Sequence, residues 1–376
     1  MIAIDTVLVK VASRCNINCR YCYVYNMGDT RWATMPKQIS DTTITALAKA
    51  LGDLSRAQQR RFAVVFHGGE PLLLGHKKLG VLLAALRRTL PSDYPFSLQT
   101  NGMLITEEIL DLCSEYRTSL GVSIDGPPDV NDRHRIDHEG KGTHKKVLEG
   151  IEKLQNHRDS DFLYTGLLAV IDPESDPCEV YNFFKTLDAP SLEFLYRDGN
   201  HSQFPYGKAS FQSTEYGQWL TALLDIYLAD PKPLRIRLLD DTIKLVLGGY
   251  GTKEGIGTNN YGIIVIDTDG SVTKNDTLKS AFNGADRFTQ QWSILTHTLP
   301  EVANSSEFSR YYTLQHPTAS ACLSCPELSI CGGGMPIHRW REDSEYHNPS
   351  VYCADQLFLI GHIRNRVADL LVSHEV

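Results

Sequence analysis

Apolar and polar positions alternate in a regular order along the first half of the chain. Short apolar runs, which predict strands, are separated by longer segments in which apolar residues recur every three or four positions, as on one face of a helix. Ser40 and Thr106 precede two of the helical segments and are natural N-cap residues. Six runs predict strands: 6–11, 62–66, 96–100, 120–125, 163–171 and 192–196. Strands that alternate with helices imply parallel pairing and right-handed crossovers.

Six strand–helix units are too few to close an eight-stranded barrel. We therefore expect an α/β fold, a partial (β/α)6 TIM-like barrel with its functional groups at the C-terminal ends of the strands. The run Pro231-Lys232-Pro233 marks a boundary, and a β-hairpin with an Asp269-Gly270 turn follows it. The predicted organisation is a barrel domain over residues 1–230, a linker or bridging region over 231–262 and a smaller domain over 263–376.

The charge balance excludes some classes of partner. The 37 basic and 45 acidic residues leave a net charge of -8. A negative balance offers no field that attracts nucleic acid or an anionic membrane, so we expect neither as a partner. The N-terminal residues lack a basic segment ahead of a long apolar one, and no apolar run approaches membrane-spanning length. We therefore expect a cytoplasmic protein.

Nine cysteines, an odd number, fall mainly into two tight groups, which indicates metal binding in a reducing compartment rather than disulfides. The first group, Cys15, Cys19 and Cys22, follows the first predicted strand. Four cysteines close a 4Fe-4S cluster, so three would leave one iron open. The alternatives are a zinc knuckle, although zinc prefers four N or S ligands, or three unrelated buried thiols. Cys113 and Cys178 stand apart and are expected to be small core residues.

The spacing C-x3-C-x2-C, with Tyr21 before the last cysteine, strongly resembles the signature of the radical SAM superfamily. The resemblance implies that Cys15, Cys19 and Cys22 hold a 4Fe-4S cluster whose open iron chelates the amino and carboxylate groups of S-adenosylmethionine (SAM). A reduced cluster of this kind passes an electron into the sulfonium, which yields methionine and a 5′-deoxyadenosyl radical.

The same resemblance assigns SAM-binding roles to residues at the strand ends. In radical SAM enzymes the segment equivalent to Gly68-Gly69-Glu70-Pro71 hydrogen-bonds the SAM amino group. Arg135 resembles the arginine that pairs with the SAM carboxylate, and Ser123 is expected to assist it. Without the resemblance, these segments would be a turn and a solvated charged loop. The implied cofactor contacts are Tyr21, Gly68, Gly69, Glu70, Thr100, Asn101, Ser123, Arg135 and Val170.

A second group of cysteines has the spacing C-x2-C-x5-C-x21-C and consists of Cys322, Cys325, Cys331 and Cys353. Four thiolates can saturate either a zinc ion or one 4Fe-4S cluster. The run 322–334 closely resembles the auxiliary-cluster segment called SPASM, found in peptide-modifying radical SAM enzymes. A full SPASM domain has seven cysteines and two auxiliary clusters, but Asn275 and Met335 stand where two of those cysteines are expected. The resemblance therefore implies one auxiliary 4Fe-4S cluster, fully ligated by protein.

Asp276 follows Asn275 directly. In the complete family the aspartate at this place can act as the base in sulfatase maturation, so Asp276 is a candidate catalytic base. The alternative is a turn residue at the end of the hairpin. The stretches 270–279, 32–36 and 198–201 most resemble the subgroup that makes three-residue cyclophanes on ribosomal peptides.

The resemblance predicts a radical SAM oxidoreductase that modifies a precursor peptide. Hydrogen abstraction from a side chain would lead to a carbon–carbon (cyclophane) crosslink, with the auxiliary cluster taking one electron and Asp276 one proton. The alternatives are a sulfatase-type formylglycine maturase, radical oxidation or crosslinking of a small-molecule intermediate, and a zinc-stabilised scaffold. We also expect an electron donor such as flavodoxin or ferredoxin, and a peptide strand added at an edge within 235–260.

Overall fold

A computed structural model of the protein describes residues 1–373, with side chains described up to residue 369. Strands and helices alternate through the first half of the chain, as the sequence pattern predicts. The strands are β1 (Thr6–Ala12), β2 (Ala63–Gly68), β3 (Phe96–Thr100), β4 (Thr118–Ser123), β5 (Tyr164–Val170), β6 (Leu192–Leu195), β7 (Ile263–Ile266), β8 (Ser271–Thr273) and β9 (Trp292–Ser293).

Polar side chains cap the first turns of both helices for which the sequence predicted a cap. Ser40 Oγ accepts a hydrogen bond from the Thr43 N–H at 3.0 Å, and Thr106 Oγ1 accepts one from the Ile109 N–H at 3.4 Å. The helices are α1 (Asp41–Ala57), α2 (His76–Thr89), α3 (Glu107–Glu115), α4 (Pro128–His134), α5 (His144–Asn156), α6 (Ser160–Leu163), α7 (Pro177–Thr186), α8 (Glu215–Ala229), α9 (Arg237–Val246), α10 (Leu299–Asn304), α11 (Ser306–Leu314), α12 (Ser320–Leu323), α13 (Leu328–Cys331) and α14 (Cys353–Ser373). Short 3₁₀ helices lie at Arg31–Ala33, Pro71–Leu74, Asp276–Ser280 and Pro336–Arg339.

The strands form one open sheet in the order β6-β5-β4-β3-β2-β1-β7-β8-β9. Strand β1 pairs in parallel with β2, β2 with β3 and β3 with β4. The strand order and the helices between successive strands confirm the predicted partial (β/α)6 barrel. The predicted hairpin is also present, since β7 and β8 pair antiparallel.

The hairpin joins the barrel sheet, because β7 pairs in parallel with the open edge of β1. The chain accordingly groups into two compact units. The first unit comprises Met1–Ile124, Asn131–Leu167 and Tyr261–Tyr312, and the second comprises Asp125–Val130, Leu168–Asn260 and the chain from Thr313 onward. These units differ from the division at residues 230 and 262 predicted from the sequence, which assigned the hairpin to a separate C-terminal domain.

Helix α9 occupies residues 237–246 of the segment in which we expected a free strand edge. That part of the expectation is wrong, although Ile236 forms an isolated parallel bridge with Leu192. Among the described residues, none of the helices has the length and the apolar character needed to span a bilayer.

The first strand lies at the centre of the first unit and is buried on both faces. Val7, Val9 and Val11 have no exposed surface, and Lys10 between them is 3% exposed. A lysine in such a strand needs a charged partner inside the protein. Strand β1 therefore carries a buried charge toward the loops at its C-terminal end.

Candidate functional site

The loop with the first three cysteines begins directly after β1. Its backbone is fixed to the end of α4 and the residues after it: the Asn18 N–H donates to the Ile136 carbonyl oxygen at 2.7 Å, and the Arg20 N–H donates to that of His134 at 2.9 Å. These bonds hold the loop in a defined conformation at the C-terminal end of the parallel strands.

Cys15, Cys19 and Cys22 are free thiols in this loop. Burial raises the pKa of Cys15 to about 12 and that of Cys22 to about 11, and the negative charges of the neighbouring cysteines add to both shifts. The three thiols are therefore close enough to influence one another. Thiolates in such a place require a cationic group to stabilise them, so this donor set fits an iron-sulfur cluster.

Glu70 brings the ends of β2 and β3 together. It is 1% exposed. Its Oε1 accepts hydrogen bonds from the Thr100 hydroxyl at 2.6 Å and the Leu72 N–H at 3.0 Å, and its Oε2 accepts one from the Asn101 N–H at 2.8 Å. Burial raises the pKa of Glu70, and these hydrogen bonds oppose the shift. Three residues predicted at separate strand ends thus form one buried cluster.

Asn101 extends this cluster to the cysteine loop. Its Nδ2 donates to Asn16 Oδ1 at 2.8 Å and lies 3.8 Å from Cys15 Sγ. The predicted SAM-contacting residues at β2 and β3 therefore lie beside the first cysteine of the loop.

Gly68 and Gly69 permit a close approach between chain segments. A Cβ on Gly68, whose φ is +150°, would lie 2.0 Å from the Ala12 carbonyl oxygen. A Cβ on Gly69 would lie 2.0 Å from Tyr25 Oη and 2.3 Å from the Arg14 carbonyl oxygen. The Gly69 N–H donates to the Ala12 carbonyl at 2.9 Å. The sequence predicts that these glycines admit a ligand; the structure shows that they admit the start of the cysteine loop.

Arg135 and Tyr21 are also joined. Arg135 is 5% exposed, and its Nη1 donates to the Tyr21 hydroxyl at 3.0 Å. Ser123 Oγ accepts a hydrogen bond from Gln99 Nε2 at 2.9 Å, so its assistance to Arg135 stays a prediction. In the second unit, the Val170 N–H donates to Asp125 Oδ1 at 3.1 Å.

Asp276 is a buried ion-paired residue rather than an exposed turn residue. It is the first residue of the 3₁₀ helix Asp276–Ser280, and its Oδ2 lies 2.8 Å from Lys10 Nζ and accepts from the Tyr23 hydroxyl at 3.1 Å. Burial alone would raise the pKa of Asp276, but the charges of Lys10, His67 and Lys279 and the hydrogen bond from Lys10 together outweigh burial, and the pKa falls to about 2. Asp276 is therefore ionised, and Tyr23, the residue after Cys22, links it to the cysteine loop.

Sequence reasoning missed Lys10 and His67, which are paired across β1 and β2. A lysine inside an apolar strand run was the available signal for Lys10. His67 is also a buried neighbour of this charge pair, because the charges of Asp276 and Lys10 both act on its pKa. Asn275, which stands where a cysteine was expected, uses its side chain to accept the Thr277 N–H at 3.1 Å.

The second group of cysteines lies in the second unit. Cys322 and Cys331 lie in the short helices α12 and α13, and Cys353 begins α14. Burial raises the pKa of Cys331 to about 12, and the charges of Cys353, Cys322 and Cys325 each act on it. The four thiols, separated by up to 31 positions in the sequence, are therefore neighbours in space. This donor set fits one fully ligated 4Fe-4S cluster.

A buried salt bridge lies beside this group. Lys208 Nζ is 2.6 Å from Asp355 Oδ2, and neither side chain has exposed surface. Cys331 Sγ donates to Gln356 Oε1 at 2.9 Å. Among the described residues, no three His, Cys, Asp or Glu side chains converge on the position of a single metal ion.

The fold and the site together define a class of enzyme. A model of the radical SAM superfamily matches residues 9–184, which contain the first cysteine loop, the Glu70 cluster and Arg135. This segment is a radical SAM domain. The protein therefore carries a radical SAM domain, which makes it an enzyme that uses SAM and 4Fe-4S clusters.

Named relatives match nearly the whole chain. The cysteine-type anaerobic sulfatase-maturating enzyme of Clostridium perfringens is 25% identical over 357 residues, which cover 93% of this chain and 93% of that enzyme. The serine-type anaerobic sulfatase-maturating enzyme of Bacteroides thetaiotaomicron is 25% identical over 367 residues, which cover 90% of this chain and 84% of that enzyme.

Solved structures share the fold. Native anSMEcpe with bound AdoMet superposes with a TM-score of 0.81 at 22% identity, covering 97% of this chain and 98% of that one. SuiB of Streptococcus suis bound to the precursor peptide SuiA superposes with a TM-score of 0.63 at 15% identity, covering 93% of this chain and 76% of that one.

Proposed function

We propose that this enzyme is a peptide maturase that removes a side-chain hydrogen from a ribosomal precursor peptide and closes a carbon–carbon crosslink of the cyclophane type. In this proposal Cys15, Cys19 and Cys22 hold the SAM-binding cluster. Cys322, Cys325, Cys331 and Cys353 hold one auxiliary cluster, and an external donor such as flavodoxin or ferredoxin supplies electrons.

The SAM site is assigned to the strand ends around the cysteine loop. Glu70 is held as a hydrogen-bond acceptor for the SAM amino group by the same contacts that bury it. Arg135, held by Tyr21, offers positive charge to the SAM carboxylate. The other proposed contacts of the cofactor are Gly68, Gly69, Thr100, Asn101, Ser123 and Val170.

With SAM bound, the reduced cluster supplies a carbon-centred radical that can take a hydrogen atom from a peptide side chain. The side-chain carbon of the peptide then bonds to a neighbouring aromatic ring. The ring regains its aromaticity by losing one electron and one proton. In this proposal Asp276 Oδ2 accepts the proton, and a cluster held by Cys322, Cys325, Cys331 and Cys353 would supply the electron acceptor.

The observation that carries this proposal is the ion pair between Lys10 and Asp276, at 2.8 Å. A carboxylate with a buried cationic partner stays ionised but is a weak base. A ring that has lost an electron after bond formation releases a strongly acidic proton, and a weak base is sufficient to accept it. Removing a proton from a serine hydroxyl demands a stronger base. Asp276 therefore suits the crosslinking reaction better than it suits the deprotonation of a serine hydroxyl.

The peptide substrate is supported by the relatives rather than by a contact in this chain. The solved structure of anSMEcpe with AdoMet and the Cp18Cys peptide has a TM-score of 0.80, and SuiB was solved with a precursor peptide. Both proteins share the fold of this chain. A peptide is therefore the substrate class that we propose.

The proposal is tested by co-expressing this protein with the short peptides encoded next to its gene, followed by tandem mass spectrometry. We expect one peptide to lose two hydrogen atoms, with no backbone fragmentation inside the crosslinked ring. Cys19→Ala should abolish the modification. Cys178 is exposed, so the expectation that it is a core residue is wrong, whereas Cys113 is buried as expected. Cys178→Ala, outside both groups, is the matched control and should leave the modification intact. An unmodified peptide in the presence of active SAM cleavage would contradict the proposal for that peptide set.

A second candidate function is formylglycine formation, favoured by the sulfatase-maturating relatives that match the chain over nearly its whole length. The same experiment separates the two functions. Formylglycine is an aldehyde and reacts with hydroxylamine, whereas a crosslinked peptide does not. A hydroxylamine adduct on the product would support the second candidate and exclude the first.

A further inference from the structure

Arg339 is a fully buried arginine with unused hydrogen-bond donors. It ends the 3₁₀ helix Pro336–Arg339 and is 0% exposed. Its Nη2 donates to the carbonyl oxygens of Leu314 at 2.7 Å and Gln315 at 3.0 Å. Its Nε and Nη1 are buried and have no hydrogen-bond partner among the described residues. Such donors are rare in folded proteins and indicate a group that the amino-acid chain itself does not supply.

The neighbours of Arg339 identify the chemistry of that group. Burial lowers the pKa of Arg339 to about 10, while the charges of Cys322 and Cys331 raise it. Reciprocally, burial raises the pKa of Cys322, and the charge of Arg339 opposes that rise. The guanidinium therefore lies in the immediate field of two of the four clustered thiols and remains cationic at neutral pH.

A structural role explains only part of these contacts. The two hydrogen bonds from Nη2 fix the end of α11 and the residue after it. Nη2 makes both bonds, so this structural contact does not require Nε or Nη1. The planar guanidinium keeps Nε and Nη1 in a fixed relation to Nη2, so these donors are oriented by the same bonds. The two donors point to different sides of the guanidinium, so either of them can reach an acceptor atom of an anion on its own side. A 4Fe-4S cluster held by four thiolates carries net negative charge, and its sulfurs accept hydrogen bonds.

We propose that Arg339 donates a hydrogen bond from Nε or Nη1 to a sulfur of the auxiliary cluster and offsets the negative charge of that cluster. This inference rests on the proposed auxiliary cluster and adds a residue that sets the reduction potential of that cluster. A cation beside the cluster favours the reduced, more negative state, so Arg339 raises the potential and makes the cluster a better electron acceptor.

The first test is a redox titration followed by electron paramagnetic resonance. It uses the full-length reconstituted protein with Cys15, Cys19 and Cys22 changed to Ala, so that the remaining iron belongs to the auxiliary site. Arg339→Met should shift the midpoint potential to more negative values, and Arg339→Lys should shift it less because it keeps the charge. Arg341→Met, at an exposed arginine two positions away, is the matched control and should leave the potential unchanged. Retained iron with an unchanged potential in Arg339→Met would overturn the inference.

A second test needs no variant at position 339. Pulsed paramagnetic resonance on the reduced full-length protein with Cys15, Cys19 and Cys22 changed to Ala, grown with ordinary or ¹⁵N-labelled arginine, should show a nitrogen coupling that changes with the label. A cluster without such a coupling overturns the inference. This test remains decisive even if Arg339→Met loses its iron and its potential cannot be measured. Absence of iron from the Cys15, Cys19 and Cys22 variant instead contradicts the auxiliary cluster itself, so the two failures are distinguishable.

Discussion

At the scale of single residues, Lys10 and Asp276 form a buried ion pair. Removing one partner leaves the charge of the other buried and destabilises the folded protein. The side chains are 4% and 2% exposed. Asp276→Asn leaves the ammonium of Lys10 without its counter-charge, at a cost of about 3 kcal/mol or more in the free energy of unfolding. We expect this variant to cleave SAM but to form product roughly 100-fold more slowly, since it lacks the proton acceptor. Deoxyadenosine and product measured in the same reaction check both statements.

A matched variant separates stability from chemistry. Lys10→Met combined with Asp276→Asn removes both charges, and we expect it to be more stable than Asp276→Asn while remaining slow in product formation. Recovery of product formation together with stability would show that Asp276 is only structural. Guanidinium unfolding and product yield are the two measurements.

The stabilisation from this pair has a defined pH range. The pKa of Asp276 falls from 3.8 to about 2, so its contribution is complete above 3.8 and is lost as the pH falls through about 2. The pKa of Lys10 is raised above 10.5, so its contribution is complete below 10.5 and is lost at higher pH. We expect product formation to show no ionisation of Asp276 between about pH 5 and pH 9. The prediction is contradicted if the rate of product formation falls with a midpoint in this pH interval and the midpoint disappears in Asp276→Asn.

Glu70 gives a second prediction at this scale. Its carboxylate accepts three hydrogen bonds, so Glu70→Gln turns an amide NH₂ toward groups that are themselves donors. We expect a loss of about 1–3 kcal/mol in stability and a higher KM for SAM. The exposed Glu108, changed to Gln, is the control. An unchanged KM in Glu70→Gln would remove Glu70 from the SAM site.

Some of these residues were predictable from the sequence and others were not. The cysteine spacings and the Gly68-Gly69-Glu70 segment are local patterns, so they were found directly. Lys10 and Arg339 occur singly. The role of Lys10 depends on a partner more than 200 positions away, and that of Arg339 depends on four thiols brought together by folding. A lone lysine in a strand or an arginine after a glycine run has no spacing signature.

At the scale of elements, the end of β2 is held against the cysteine loop by glycine. Gly69→Ala places a methyl group against backbone and Tyr25, which requires one segment to move. We expect lower iron content at the SAM site and lower SAM affinity. Gly361→Ala, in α14 with no atom within 4 Å of the new Cβ, is the control and should stabilise the helix slightly. Normal iron content and SAM affinity in Gly69→Ala would show that the close approach is not required.

The six strand–helix units were predictable because periodicity and capping residues are local. The placement of β7 was not. Its apolar run 263–266 predicts a strand, but the pattern does not specify whether the strand starts a new sheet or extends an old one. The open edge of β1 decides this through four parallel partners, Thr6 to Val9. Helix α9 was missed because its polar face resembled a linker.

At the scale of the whole molecule, two cysteine groups predict two clusters. Anaerobic reconstitution should give about eight irons per chain. Cys331→Ala should lower this to about four and block product formation, while deoxyadenosine is still made. About four irons in the unaltered chain, or colourless protein with bound zinc, would contradict the two-cluster assignment.

The central claim is that three thiols hold an iron-sulfur cluster with an iron open to SAM. The most direct test is the amount of 5′-deoxyadenosine formed by the reconstituted, chemically reduced protein with SAM. We expect the unaltered chain to accumulate it and Cys19→Ala to fall to the background rate, with the iron of the auxiliary site retained. Equal deoxyadenosine from Cys19→Ala and the unaltered chain would contradict the claim.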